Sequence, residues 1–145
     1  MCANNSVKKI DLIAEKYGIG LIYLFGSRAE TAKEILNGAS SEIDDPLADI
    51  DVGVVFSEGL PHKDKRVFLY ADIFNDLEDL FMPFPLDLVF LEETHSVFQA
   101  EAISGYCIYS IDTDFRDGFE ENVLRRAADF RPFLDKYYEE LLEEV

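Results

Sequence analysis

Gly20-Leu21-Ile22-Tyr23-Leu24-Phe25-Gly26-Ser27 and, after a polar interval, Ala48-Asp49-Ile50-Asp51-Val52-Gly53-Val54-Val55-Phe56 organise this chain. The first half is an apolar run that stops at two small residues, the pattern of a buried strand turning into a helix. The second half is another strand with two carboxylates at its start. Side chains alternate across a strand, so Asp49 and Asp51 share one face while Ile50 and Val52 take the other. Two carboxylates on one face repel, and a divalent cation with oxygen ligands, magnesium above all, relieves them. Gly26 allows close backbone approach, and Ser27 brings a hydroxyl and an amide to a helix start. Such an N-terminus suits phosphate. A phosphate cradle beside a metal-binding carboxylate pair is the apparatus of nucleotidyl transfer.

A third strand, Leu86-Asp87-Leu88-Val89-Phe90-Leu91, carries one embedded charge. A lone aspartate in an apolar run is costly to bury unless paired or metal-bound. Strand–Gly–Ser, Asp-x-Asp on the next strand and a single Asp on a third resemble the DNA polymerase beta-like nucleotidyltransferase superfamily. The likeness is to its minimal members, the MNT proteins, many of them antitoxins paired with HEPN toxins. It takes in Ala102–Tyr109 and the aromatic C-terminal helix around Asp129-Phe130-Arg131-Pro132-Phe133.

The resemblance implies an α/β fold, a small mixed β-sheet flanked by helices. It implies ATP as substrate with two Mg2+ ions held by Asp49, Asp51 and Asp87, Asp87 also helping to deprotonate the acceptor. Gly26 and Ser27, with Arg28 beside them, would bind the nucleotide's phosphates. The acceptor it implies is a tyrosine of a cognate HEPN toxin, with a non-catalytic antitoxin, a small-molecule adenylyltransferase and a solitary regulatory domain as rivals. Two features depart from the family. Twenty-one residues, 28–48, separate Ser27 from Asp49, and Arg28-Ala29 is followed by Glu30-Thr31-Ala32 rather than by a glycine.

At 145 residues and 48% hydrophobic content, one compact domain over 1–145 is expected. No apolar run is long enough to cross a bilayer, no signal-peptide region follows the N-terminus, and two cysteines make no disulfide framework. A cytoplasmic protein is the expectation, with Cys107 a buried small hydrophobe. Thirteen basic against thirty acidic residues, net −17, argue against direct nucleic-acid binding and suit docking on a basic protein.

Periodicity predicts a first helix capped by Asn5 or Ser6, with Val7, Ile10, Ile13 and Ala14 inward. It predicts helices over Arg28–Leu36, Arg66–Phe81 and Val97–Ser104, and a strand over Tyr106–Ile111. In the third helix Tyr70, Phe74, Leu77 and Phe81 should pack while Asp72, Asp76 and Asp79 face water. The last helix, Phe115–Val145, should break near Arg131 because Pro132 follows it. Ala39–Leu47 reads as an exposed loop whose Glu42, Asp44 and Asp45 are solvated. His62 and His95 read as surface residues, not zinc ligands. Lys63, Lys65 and Arg66 follow the Asp-x-Asp strand, where a triphosphate contact competes with plain solvation.

Overall fold

The computed structural model describes residues 2–38 and 49–143. The expected loop at Ala39–Leu47, with Glu42, Asp44 and Asp45, lies outside the described residues. Element order is α1 (Cys2–Tyr17), β1 (Ile19–Phe25), α2 (Ala29–Leu36), β2 (Ile50–Phe56), α3 (Lys63–Phe81), β3 (Leu86–Phe90), α4 (Ser96–Ile103), β4 (Tyr106–Ser110) and α5 (Thr113–Glu143). The strands form one mixed sheet in the order β3-β2-β1-β4. β1 runs antiparallel to β2 and β4, and β2 runs parallel to β3 across the α3 connection. The mixed sheet flanked by helices is the expected α/β fold.

β1 is buried at all seven positions, which is why it shows no polar alternation. Its side chains divide between two cores. Ile19, Ile22 and Leu24 join Ile10, Ala32, Ile73 and Leu77 on one face. Leu21, Tyr23 and Phe25 join Leu91, Ala102 and Phe119 on the other. The molecule is therefore three layers, α1–α2–α3, the sheet, and α4–α5. On β2, Ile50, Val52, Val54 and Phe56 fill the first core, so Asp51 is turned to the α4–α5 face. β3 does the same with Leu86, Leu88 and Phe90, and Asp87 shares the face of Asp51.

Several boundaries differ from the sequence expectations. α1 begins at Cys2, ahead of Asn5 and Ser6. α3 begins at Lys63, because the His62 imidazole accepts a hydrogen bond from the Asp64 amide and caps it. Its inward side is Ile73, Leu77 and Phe81. Tyr70 instead leans on Phe74 and Phe90 and donates its hydroxyl to the Leu88 carbonyl. Asp76 is not simply wet, since Tyr17 Oη donates to it at 2.6 Å and ties α1 to α3. The largest difference is α5, which runs unbroken through Pro132 for 31 residues. Proline costs a helix one hydrogen bond and a local clash. More than ten residues of helix on either side carry it through. No described helix is long and apolar enough to cross a membrane.

Candidate functional site

The pairing register assembles the site. Phe25 lies opposite Asp51, and Asp51 opposite Asp87, so the C-terminal end of β1 and the starts of β2 and β3 form one row across three strands. Gly26 and Ser27 follow Phe25 and stand beside that row. Gly26 has φ +78°, in the left-handed region. A Cβ there would collide with the Asp51 carboxylate, so both conformation and space call for glycine. α2 then starts at Ala29 with Arg28 as N-cap and no side-chain cap. The Ala29 amide donates to the Gly26 carbonyl, and among the described residues the Glu30 and Thr31 amides of the first turn have no partner, the kind of donor that suits phosphate.

Asp51 is half-buried, and its carboxyl is pushed up to about 6. Burial is the largest cause, followed by Asp87, in charge and hydrogen-bonding contact with it, then Asp49 and Glu101. Every one of these neighbours is an acid. A site that gathers carboxylates without a compensating base suits a hard cation with oxygen ligands, as Mg2+ is. The fit is best at Asp51 and Asp87. Asp49 is exposed just ahead of β2, and no three His, Cys, Asp or Glu side chains among the described residues stand within common ligand reach. Asp87 is exposed, contrary to the expectation of a buried charge. β3 is the sheet's edge, and its outer face is open at that end.

A cleft of about 490 Å³ adjoins the row, lined by Gly26, Ser27, Ala29, Glu30, Glu101, Ser104, Gly105 and Tyr106. Glu101, Ser104 and Gly105 have no role in the sequence reading. The available signal was the small-residue pair Ser104-Gly105 between a helix and a strand. A Cβ at Gly105 would overlap the Leu24 carbonyl, so glycine brings the α4–β4 turn against the end of β1.

The basic cluster does not reach this cleft. Arg66 bonds the Pro61 carbonyl at 2.9 Å and pairs with Glu93. With Lys63 it lines a separate cavity beside Phe90, at the far end of β3 from Asp87, while Lys65 is exposed. His62 and His95 are exposed, as expected, and each caps a helix. Cys107 is half-buried, its thiol pushed up by burial and donating to the Tyr109 carbonyl.

The family model "Polymerase beta, Nucleotidyltransferase" matches residues 8–114, well over half of the chain. No curated protein matches in sequence. Solved structures do match in fold. A chain of an MntA–HpeT toxin–antitoxin mutant aligns at 15% identity, covering 94% of this chain and 98% of the other, with a TM-score of 0.66. One from a toxin–antitoxin with AMP-PNP aligns at 17%, with coverages of 94% and 98% and a TM-score of 0.64. A third comes from the tri-AMPylated Shewanella oneidensis HEPN toxin in complex with MNT antitoxin, at 17%, coverages of 97% and 98% and a TM-score of 0.62. With its three carboxylate positions, its Gly-Ser turn and this match, the chain belongs to the polymerase beta nucleotidyltransferase family and has the fold of the MNT antitoxins.

Proposed function

We propose that this protein, acting as one domain in the cytoplasm, transfers AMP from ATP to a tyrosine hydroxyl of a cognate HEPN toxin and thereby silences it. The observation that carries this reading is the Phe25–Asp51–Asp87 row beside the Gly26–Ser27 turn. It is supported by likeness in fold to chains from a complex with AMP-PNP and from one holding an AMPylated HEPN toxin. Gly26, Ser27, Arg28 and the first turn of α2 would hold the β- and γ-phosphates. Asp51 and Asp87, with Asp49 drawn in, would hold Mg2+, which neutralises phosphate charge when bound. The tyrosine oxygen attacks the α-phosphorus, forming one P–O bond as the bond to pyrophosphate breaks. Its proton passes to the Asp87 carboxylate, which is exposed on the edge strand and open to an incoming acceptor. Burial and then its acidic neighbours push the Asp51 carboxyl up to about 6, and a bound cation would favour its charged form.

The test is incubation with labelled ATP, Mg2+ and the cognate toxin, followed by mapping of the label. AMP on a toxin tyrosine, lost with Asp87→Asn while the complex persists, is the expected result. Label on a small molecule, or full neutralisation by the triple Asp49, Asp51 and Asp87 variant, would remove the catalytic reading.

A further inference from the structure

The cleft beside the carboxylate row lacks a charge that a nucleotide's phosphates need. Among the described residues its lining includes Glu30 and Glu101 but no lysine or arginine. A triphosphate seated there meets these two acids besides the row itself, while Lys63 and Arg66 line a different cavity. An ammonium does stand at the rim. Lys33 Nζ sits 4.4 Å from the centroid of the Tyr106 ring, and Tyr106 lines the cleft with Gly26 and Ser27.

We propose that Lys33 is the cation that holds the terminal phosphate of the nucleotide, and that the Tyr106 ring keeps it at the cleft. This role rests on the nucleotide-binding reading of the site. Helix geometry places the charge. Ala29 and Glu30, four and three residues before Lys33, line the cleft, so Lys33 shares their side of α2. Four residues of helix rise only about 6 Å, and helical side chains lean toward the N-terminus. The ammonium therefore lies over the turn whose Glu30 and Thr31 amides have no partner among the described residues. With the α-phosphorus at Asp51 and Asp87, where transfer would occur, the β- and γ-phosphates run past Gly26 and Ser27 onto those amides. Lys33 is the next donor along that line.

The ring is itself held in place. Gly105 lets the α4–β4 turn close against the Leu24 carbonyl, and Tyr106 pairs with Leu24 in the sheet. Its side chain packs on the first core, the side that α2 covers. A lysine resting on an aromatic face keeps its positive charge available, whereas a carboxylate partner would offset it before phosphate arrived. Glu30 stands at the helical spacing for such a pair, yet among the described residues Lys33 makes no ion pair. The ring also limits the wandering of a flexible stem, so less freedom is lost when phosphate binds.

The experiment is equilibrium binding to the full chain at fixed Mg2+, with ATP, AMP and inorganic tripolyphosphate as probes. Lys33→Gln should weaken ATP and tripolyphosphate about tenfold, the loss of one charge-assisted hydrogen bond. AMP, which lacks the β- and γ-phosphates, should bind as before, and Lys33→Arg should keep most of the affinity. Tyr106→Leu should cost about threefold for the same two probes, and Tyr106→Phe, which keeps the ring face, should cost little. Lys33→Gln with Tyr106→Leu should bind no worse than Lys33→Gln alone, because the ring acts through the lysine. Equal losses for ATP and AMP, unchanged tripolyphosphate binding by Lys33→Gln, or additive losses in the double variant overturn the proposal. A wild-type chain that binds ATP through Lys33 but never transfers AMP removes the transfer reading and leaves this role standing. One that binds neither ATP nor tripolyphosphate removes both.

Discussion

The carboxylate row and the distal half of α5 are both left unsatisfied by the chain itself, in opposite ways. At the row, acid stands against acid beneath a partly buried Asp51. Along α5, large apolar side chains stand in water. The row is tied into the sheet by strand register and cannot relax without unpairing β2 from β1 and β3. The helix end rests on little but its own backbone. Repulsion held in a rigid frame suits a cation, whereas unsupported apolar surface suits a partner. The two therefore respond to different substitutions.

The largest effect belongs to the row. Asp51→Asn with Asp87→Asn should lower AMP transfer by about 10²–10³-fold or more, the several kcal/mol that bound metal contributes. The same variant should raise the melting temperature without Mg2+ and lose the Mg2+-dependent rise, as differential scanning fluorimetry would read. A fall in melting temperature instead would show that the carboxylates support the fold. Next comes Gly26→Ala, which forces a side chain into the left-handed region for about 1–2 kcal/mol. It should also displace Asp51, so that chemical denaturation and magnesium affinity both weaken.

The pH dependence is smaller. Asp51 is raised from an ordinary 3.8 to about 6 in the folded protein. The folded state therefore binds more protons between those values, and this group's contribution to stability falls as pH rises from about 4 to about 6. Urea midpoints without metal should show that slope, Asp51→Asn should flatten it, and Mg2+ should oppose it at its upper end. The smallest effect belongs to α5. Leu142→Gln, at the exposed end of α5, should change stability by no more than about 0.5 kcal/mol. Leu77→Ala, in the core, should cost about 2–5 kcal/mol. A large loss from Leu142→Gln would show that the end of α5 packs against the rest of the fold.

Much of this was legible in the residues. β1 announced itself through an unbroken apolar run ending at Gly26, and the alternation on β2 correctly turned Asp51 away from Val52. Helix starts were less legible. At α3 the cap is a histidine side chain, and its acceptance of the Asp64 amide depends on rotamer, not on residue preference. The break expected at Pro132 failed for a related reason, since local proline rules omit the helix on either side that spans the defect.

The sequence alone determined what repeats at short range: which segments are strands, which face each side chain takes, and that carboxylates, a Gly-Ser turn and apolar cores would coexist. Only the tertiary structure decided what is adjacent. It set Asp51 against Asp87 and Phe25, brought Glu101 and Gly105 to the cleft from the chain's second half, and carried Arg66 off to Glu93. It also left Asp87 open on an edge strand and the end of α5 without cover. Periodicity follows from backbone geometry that each residue carries with it. Adjacency follows from strand register and layer packing, which no single segment contains.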